Sequence, residues 1–476
     1  MSLIGSVGIG RKIVCTIGPS CEDRAILSKM IASGMDVARL NLSHGSRTIH
    51  RRRFNKIRSL DRHVAIMFDI QGPKIRLGRF DGAKEVVLTR GDIFVLTSRA
   101  VLGSAQTASV DYPRLPEIAS PKDTIFLNDG LVELSVVRVD KKTDVVCRVK
   151  TGGEIGTGKG VNILGKSFDF SVPTEKDLKD LKFVAKLKPD FLSVSFVSSA
   201  GEIAKVREVL RKMGADIPLI AKIERKEAVS RIDSIIRESD GIMIARGDLA
   251  VFVSSEKVPP IQKNCIERTR ESGKPVICAT QMLESMRFHS RPSRAEASDV
   301  FNAVLDGADA LMLSGETAIG KYPLESLKMM KRLIREAEAY RSSGRNVAPA
   351  IATRIASGDV LAEALSKVSA PGKIERRRLK VVVYPVRSED LPFISTFFPG
   401  LSVLAPTDDL SLFRRMRVYG GIIPLLVKKD TFRRNSSGAI VTELKKRGIV
   451  KSRDRTIAVR LHGDGGKTRV RSVEYL

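Results

Sequence analysis

Residues 218–224 read Pro-Leu-Ile-Ala-Lys-Ile-Glu, and residues 241–247 read Gly-Ile-Met-Ile-Ala-Arg-Gly. Each is a short apolar stretch, rich in β-branched residues, that ends in charged or glycine residues. A stretch with helical periodicity lies between them. Continuous apolar runs of this length are typical of parallel strands that are buried on both faces. We therefore predict two consecutive β-strand–α-helix units.

Six further stretches of the same kind extend this pattern in both directions. They occupy residues 12–18, 36–43, 63–70, 190–197, 275–281 and 310–316. The eight stretches begin 23 to 35 residues apart, except for an interval of 127 residues between His63 and Asp190. Eight regular units are those of a (β/α)8 barrel, so we predict an α/β fold built on a TIM barrel.

The long interval predicts an inserted domain. Residues 75–165 alternate short β patterns with glycine turns, which indicates a small β-barrel lid domain after the third strand. The barrel then comprises residues 1–74 and 166–341. Residues 342–476 contain an apolar helix at 359–368 and four strand patterns, at 380–384, 402–405, 421–427 and 456–461. These patterns predict a C-terminal open α/β domain.

Composition excludes several classes of protein. Of the 476 residues, 42% are hydrophobic and 29% are charged, which excludes a disordered or fibrous chain. The five cysteines include no Cys-x-x-Cys pair, so we expect neither a disulfide framework nor a zinc site, and a cytoplasmic location. No apolar run reaches the ~18 residues that a membrane-spanning helix needs, so we expect no membrane association.

The chain is strongly basic. Its 82 Lys and Arg residues outnumber its 54 Asp and Glu residues, for a net charge of +28. A basic surface often indicates a nucleic-acid partner. However, aromatic residues make up only 5%, Trp is absent, and there is no zinc-finger spacing, so we expect no nucleic-acid partner. Phosphorylated small substrates, or a surface adapted to its cytoplasm, explain the excess equally well.

Polar and ionisable side chains close six of the eight predicted strands. In this fold, chemistry takes place at the carboxyl ends of the strands. Burying unpaired charge is costly, so these groups must face one another or a ligand. They are Arg39, Asn41, Ser43 and His44; Asp69, Lys74 and Arg76; Lys222 and Glu224; Arg246 and Asp248; Thr280; and Ser314 and Glu316.

The chemistry of these side chains indicates a metal-assisted phosphoryl site. Glu224 and Asp248 follow adjacent strands, and two carboxylates with open positions suit Mg2+, with Mn2+ as an alternative ion. Arg39 and Lys222 add a bidentate fork and a point charge for a phosphoryl group. The alternative is that Lys222–Glu224 and Arg246–Asp248 are structural ion pairs at the rim. For a single pair this alternative is favoured, but six polar strand ends together favour a site.

Seven segments of the chain carry recognisable motifs, at residues 12–20, 38–45, 222–224, 240–249, 274–286, 291–300 and 313–318. In these segments the chain resembles the pyruvate kinase family. The similarity runs from Arg11 to about Tyr340 and continues more loosely to the C-terminus. It implies a barrel, a β lid after the third strand and a C-terminal α/β domain. It also implies phosphoryl transfer from phosphoenolpyruvate to ADP, the last step of glycolysis, by a cytoplasmic homotetramer.

The resemblance also implies roles for individual residues. Glu224 and Asp248 would hold Mg2+, while Arg39 and Lys222 would bind the transferring phosphoryl group. The backbone amides of Gly247 and Asp248, with Thr280, would bind the substrate carboxylate. The remaining roles are a water relay that protonates the enolate, at Thr280, Ser314 and Glu316, and nucleotide contacts at Pro19, His44 and Arg76.

A monovalent-cation site in the family corresponds to Asn41, Ser43, Asp69 and the carbonyl of Ile70. Members that require K+ usually have a glutamate where this chain has Lys74 and a threonine where it has Ile70. We therefore predict that K+ is not required, because the ammonium of Lys74 replaces the ion and neutralises Asp69. The alternative is a solvated lysine at the hinge of the lid.

Two other functions fit part of the pattern. A Mg2+-dependent pyruvate or phosphoenolpyruvate aldolase or mutase shares the barrel and the two-carboxylate site. Such an enzyme would need neither the inserted lid nor Lys222 beside the phosphoryl group. A non-enzymatic basic binding protein would explain the net charge but not the polar strand ends.

Overall fold

A computed structural model describes most of the chain. The predicted helix at 359–368 lies outside the described residues, as do all of residues 343–378. The described ranges are 10–81, 85–140, 143–166, 170, 172–342, 379–384, 386–397, 402–429, 437–451, 453–464 and 467–475.

Strands and helices alternate in the first part of the chain, and short strands then dominate. The first part contains β1 (Lys12–Thr16), α1 (Arg24–Ser33), β2 (Val37–Asn41), α2 (Arg47–Leu60) and β3 (Ala65–Ile70). The next part contains β4 (Ile75–Arg76), β5 (Val86–Leu88), β6 (Ile93–Thr97), β7 (Thr107–Ser109), α3 (Leu115–Ile118), β8 (Thr124–Leu127), β9 (Val132–Asp140), β10 (Asp144–Thr151), β11 (Gly153–Ile155) and β12 (Gly160–Ile163).

The alternation of strands and helices then resumes. The elements are α4 (Glu175–Leu187), β13 (Phe191–Val194), α5 (Ala200–Lys212), β14 (Leu219–Ile223), α6 (Lys226–Ser230), α7 (Ile232–Glu238), β15 (Gly241–Ala245), α8 (Arg246–Val253), α9 (Val258–Glu271), β16 (Val276–Ala279), α10 (Arg294–Asp306), β17 (Ala310–Leu313), α11 (Gly315–Ala318) and α12 (Pro323–Ser342). The last described elements are β18 (Leu379–Tyr384), α13 (Leu391–Phe397), β19 (Val403–Thr407), α14 (Leu410–Arg415), β20 (Ile422–Leu426), α15 (Ser437–Lys446), β21 (Arg455–Asp464) and β22 (Lys467–Tyr475).

Eight parallel strands form a closed barrel in the order β1-β17-β16-β15-β14-β13-β3-β2. These are the eight predicted stretches, so the predicted TIM-barrel class is confirmed. Three of the strands stop before a charged residue near the end of their stretch, whereas Arg39, Asp69 and Lys222 lie in the last three residues of β2, β3 and β14. For example, β14 ends at Ile223, and Glu224 follows it. The polar groups therefore lie at the strand ends and in the loops beyond them.

The strands between β3 and β13 form sheets of their own. A seven-stranded sheet has the order β4-β12-β8-β9-β10-β6-β7, and β11 pairs with β5. This part of the chain leaves the barrel after β3 and returns through α4, which begins with a capping box at Thr174 and Asp177. The division into domains at residues 74, 165 and 341 stays a prediction.

The C-terminal sheet has one strand more than the sequence indicated. Its order is β20-β19-β18-β21-β22, with β22 antiparallel to β21. The prediction of four strands missed β22, because it alternates basic and small residues and its only aliphatic side chains, Val470 and Val473, are partly buried. Pairing along its whole length with β21 stabilises this strand, and an apolar pattern of its own is not needed.

The amino-terminal ends of the barrel strands carry a repeated aspartate. Each carboxylate accepts the backbone N–H of a residue in the neighbouring strand, at 2.7–3.0 Å. The four aspartates are Asp36, Asp190, Asp240 and Asp309. We call these four residues the aspartate ring. The C-terminal part of the chain docks on this ring, where Arg414 contacts Asp190 at 2.5 Å and Arg417 contacts Asp36 at 2.6 Å. This contact closes one end of the barrel and leaves the carboxyl end to the site.

None of the helices in the described ranges has the length and apolar character needed to cross a membrane.

Candidate active site

A buried carboxylate, Asp69, lies at the centre of the polar strand ends. Its Oδ2 accepts hydrogen bonds from Nε and Nη2 of Arg39, at 2.8 and 2.5 Å, and lies 3.5 Å from Nζ of Lys222. Its Oδ1 accepts a hydrogen bond from the hydroxyl of Ser195 at 3.0 Å. Burial favours the neutral acid, but the charges of Lys222 and Arg39 outweigh it and lower the pKa of Asp69. One ionised carboxylate therefore orients both cations.

Lys222 is surrounded by acceptors and acids. Its Nζ donates a hydrogen bond to the hydroxyl of Ser195 at 2.7 Å and lies 2.8 Å from Oε1 of Glu224. Burial opposes the charge of this ammonium, but Asp69 and Glu224 outweigh burial and raise the pKa of Lys222. The side chain therefore presents a fixed positive charge inside the barrel mouth.

Glu224 has the features of a cation ligand. Its side chain is fully buried, and its Oε2 accepts the backbone N–H of Phe196 at 2.5 Å. Its Oε1 forms the ion pair with Lys222 and has no further hydrogen-bond partner among the described residues. Burial, together with the negative charge of Asp248, raises the pKa of Glu224 despite the ion pair with Lys222. A bound divalent cation would reverse this effect and favour the ionised form.

The carboxylates of Glu224 and Asp248 suit Mg2+ better than they suit an ion whose ligands are all protein side chains. Among the described residues, no group of three or more His, Cys, Asp or Glu side chains is placed to hold an ion. Glu224 and Asp248 supply two carboxylates, and Mg2+ typically completes its shell with water and substrate oxygens. The buried Oε1 of Glu224 is consistent with such a ligand.

Lys74 does not lie where the sequence analysis expected it. Its Nζ contacts Oδ1 of Asp248 at 3.2 Å, whereas the ion pairs of Asp69 within the described residues are to Arg39 and Lys222. The prediction that Lys74 neutralises Asp69 is therefore wrong. The physical reason is position, because Lys74 lies beyond the end of β3 and its ammonium reaches the first turn of α8 instead.

Only one of the two rim ion pairs considered as an alternative is formed. Lys222 pairs with Glu224, but Arg246 pairs with Asp299, at 2.7 Å, and not with Asp248. The Arg246 guanidinium also donates to the carbonyl oxygens of Thr280 and Gln281, at 2.9 and 3.2 Å. Arg246 thus holds the loop after β16.

That loop has an unusual backbone. Thr280 and Gln281 have φ angles of 68° and 54°, in the left-handed region that non-glycine residues rarely adopt. The hydroxyl of Thr280 accepts the backbone N–H of Gly247 at 2.7 Å. A Cβ at Gly247 would lie 3.3 Å from that hydroxyl, so a glycine permits the close approach. The strained loop brings the predicted carboxylate-binding groups together.

Glu316 connects two of the strand-end loops. Its carboxylate accepts the backbone N–H groups of Leu283, at 3.0 Å, and Ser314, at 2.7 Å. Burial raises the pKa of Glu316. The hydroxyl of Ser314 is buried and has no hydrogen-bond partner among the described residues.

The predicted nucleotide residues lie on the outer side of the barrel mouth. Pro19 and His44 are exposed, and the carbonyl of His44 lies 2.7 Å from Nε2 of the buried His50. Arg76 lies in β4, and its guanidinium donates to the carbonyl of Gly158 in the glycine-rich turn before β12. In the predicted cation position, the Oδ1 of Asn41 accepts the backbone N–H of Ser43 at 3.1 Å, and Ile70 is buried.

Comparison with known proteins gives the family. The profile described as pyruvate kinase, barrel domain, matches residues 10–327. The chain is 38% identical to a pyruvate kinase of Thermococcus litoralis over 451 residues, 93% of each chain. It is 46% identical to a pyruvate kinase of Corynebacterium efficiens over 333 residues, 69% of each chain, and 38% identical to one of Staphylococcus aureus over 427 residues, 88% of this chain and 72% of that protein.

This chain belongs to the pyruvate kinase family. The family assignment confirms the recognition made from the motifs and the predicted phosphotransferase class. The aldolase or mutase alternative is not favoured.

Sequence reasoning missed two residues that this family member uses to build its site. Ser195 follows β13 and bridges Lys222 to Asp69, and the hydroxyl of Thr16 accepts a hydrogen bond from Nη1 of Arg39 at 3.0 Å. Both lie at the ends of strands whose polar residues the sequence analysis did not single out. The available signal was a hydroxyl residue directly at the end of an apolar run.

Proposed function

We propose that the chain transfers the phosphoryl group of phosphoenolpyruvate to ADP and gives pyruvate and ATP, with Arg39 and Lys222 as the cations that bind this group. The observation that carries this proposal is the pair of buried cations on Asp69, beside the carboxylate of Glu224. Phosphoryl transfer needs mainly positioning and electrostatic stabilisation, and a preorganised cluster of charges supplies both.

The phosphoryl group meets two different cations. Arg39 offers a planar fork for its oxygens, and Lys222 offers a point charge. As the bond between phosphorus and the enol oxygen breaks, the electron pair stays on that oxygen, and the charge of Lys222 stabilises the enolate. Glu224 and Asp248 hold Mg2+, or Mn2+ in its place, which when bound supplies further positive charge for these oxygens.

The substrate carboxylate binds at the loop after β16 and the first turn of α8. The amides of Gly247 and Asp248 and the hydroxyl of Thr280 are its ligands. In the structure the amide of Gly247 donates a hydrogen bond to the hydroxyl of Thr280. This contact holds the amide in place until the substrate carboxylate becomes its acceptor.

The enolate is then protonated on its methylene carbon to give pyruvate. We assign the water relay for this proton to Thr280 and Ser314, and Glu316 positions Ser314 through its amide. The unpartnered hydroxyl of Ser314 is consistent with a hydrogen bond to a relay water.

Pro19, His44 and Arg76 bind the nucleotide. Arg76 belongs to the inserted sheet, so closure of that lid over the barrel mouth brings it to ADP and excludes water that would hydrolyse the phosphoryl group. We further propose that the enzyme is a cytoplasmic homotetramer that needs no K+ and has no nucleic-acid or membrane partner.

A coupled assay tests the proposal directly. Purified chain is mixed with phosphoenolpyruvate, ADP and Mg2+, and pyruvate is followed by its reduction with NADH and lactate dehydrogenase. We expect NADH oxidation that requires all three components. Pyruvate formation without ADP, or none with it, would contradict the proposed reaction.

A further inference from the structure

Ser195 lies between the two charged groups that the proposed reaction needs most. It follows β13 directly and is 2% exposed. Its hydroxyl donates to Oδ1 of Asp69 at 3.0 Å and accepts from Nζ of Lys222 at 2.7 Å. The direct contact between Lys222 and Asp69 is longer, at 3.5 Å.

The direction of these hydrogen bonds is determined by chemistry. An ionised carboxylate is only an acceptor and an ammonium is only a donor. The single proton of the Ser195 hydroxyl therefore points to Asp69, and a lone pair points to Lys222. No other arrangement satisfies both neighbours, so the hydroxyl has one orientation.

The fixed hydroxyl of Ser195 limits where the ammonium of Lys222 can lie. A lysine carries several rotatable bonds, and its ammonium can move between the acids around it. Glu224 attracts this ammonium from one side, at 2.8 Å, and Asp69 attracts it from another. A fixed acceptor at 2.7 Å selects one position between them.

We propose that Ser195 is a positioning residue that holds the ammonium of Lys222 in line with the phosphoryl group. The same hydroxyl donates a hydrogen bond to Asp69, which also binds Arg39. Ser195 therefore fixes the position of Lys222 relative to Arg39. This inference rests on the proposed function, since it assigns Ser195 a task in phosphoryl transfer. Ser195 itself does not touch the substrate.

A neighbouring serine provides a matched control. Ser193 is also fully buried, and its hydroxyl makes only a 3.3 Å hydrogen bond to the carbonyl of Phe68. Ser195→Ala and Ser193→Ala remove the same atom two residues apart. Thermal unfolding of both variants verifies that they are folded, and Ser195→Cys keeps the size while weakening the hydrogen bonds.

The test compares two reactions of each variant. The first is phosphoryl transfer from phosphoenolpyruvate to ADP, which needs Lys222. The second is Mg2+-dependent exchange of the methyl protons of pyruvate with solvent, in which no phosphoryl group is transferred, so it depends on Lys222 less than transfer does. We expect Ser195→Ala to lower kcat for transfer about 10- to 100-fold, in keeping with the loss of one hydrogen bond to a charged group.

The expected pattern has three further parts. In Ser195→Ala the KM for ADP stays near the unmutated value, and the rate of proton exchange falls much less than kcat for transfer. Ser195→Cys is intermediate. Ser193→Ala behaves as the unmutated enzyme. Equal effects of the two alanine variants, or a parallel loss of transfer and exchange in Ser195→Ala, would overturn the positioning role alone. An unmutated enzyme that transfers no phosphoryl group would overturn the proposed function, and the inference with it.

Discussion

The ammonium of Lys74 contacts Oδ1 of Asp248 at 3.2 Å, although the two residues are 174 positions apart in the sequence. Meanwhile Arg39 and Lys222 neutralise Asp69. The protein itself thus supplies positive charge on both sides of the barrel mouth. A second cation about 4 Å from an ammonium would be opposed by about 4 kcal/mol at an effective dielectric of about 20.

We therefore predict that turnover does not depend on K+. The measurement is kcat in tetramethylammonium buffer with and without KCl at constant ionic strength. Lys74→Glu should introduce K+ dependence, whereas the neutral control Lys74→Met should lose activity without gaining a response to K+. Many-fold activation of the unmutated enzyme by KCl would show that the cations of the protein do not remove the need for the ion.

Glu224→Gln and Asp248→Asn should each lower kcat by about two orders of magnitude or more and raise the Mg2+ concentration needed for activity, because an amide is a poor ligand for this ion. The fold should survive, since both changes keep the size of the side chain. Asp233→Asn is a control, because its carboxylate forms an exposed pair with Arg268. Binding of Mn2+, followed by electron paramagnetic resonance, separates ion affinity from turnover. Full activity at ordinary Mg2+ would assign the carboxylates to structural pairs.

Lys222→Met should abolish phosphoryl transfer but leave Mg2+-dependent proton exchange from the methyl group of pyruvate detectable. The reason is that Lys222 provides charge to the phosphoryl group and the enolate oxygen, while the relay at Ser314 handles the proton. Nuclear magnetic resonance of pyruvate in deuterated water measures the exchange. Loss of both reactions in a variant that still binds the metal would argue against this division of roles.

Asp190→Ala should destabilise the protein strongly. The carboxylate is 4% exposed and accepts from Arg58, from Arg414 and from the backbone N–H of Ile66. Removing it takes a charged acceptor from three buried or half-buried donors, a loss of roughly 3–5 kcal/mol. Asp216→Ala is the control, because its side chain is 94% exposed and lies 4.0 Å from Arg415. Thermal unfolding should show a large decrease in the midpoint for the first variant and none for the second; equal midpoints would contradict the structural role of the aspartate ring.

The five cysteines should not react with thiol reagents in the folded protein. All are buried, and burial raises the pKa of Cys21 to about 11 and that of Cys147, Cys265 and Cys278 to about 12. A thiol whose pKa is raised stays protonated at pH 8, and the thiolate is the reactive form. Ellman's reagent should therefore label the protein only after denaturation, when it should detect all five thiols. Rapid labelling of the native protein would contradict the burial of these side chains.

The barrel was predictable from the sequence because parallel strands with both faces buried must be continuously apolar, and eight such runs at regular spacing permit few folds. The location of the charged residues followed from the same pattern, since a charge at the end of an apolar strand lies at the barrel mouth. Strand β22 was missed because it is stabilised by its partner β21 and has no strong pattern of its own.

The partners of the charged groups were decided by the tertiary structure. Lys74 contacts Asp248 and not Asp69, and Arg246 contacts Asp299. Ser195 connects Lys222 to Asp69, although it carries no charge and belongs to no recognisable motif. The strength of an ion pair or hydrogen bond depends on a few tenths of an ångström and on burial. These quantities arise only when strands distant in the sequence are brought side by side.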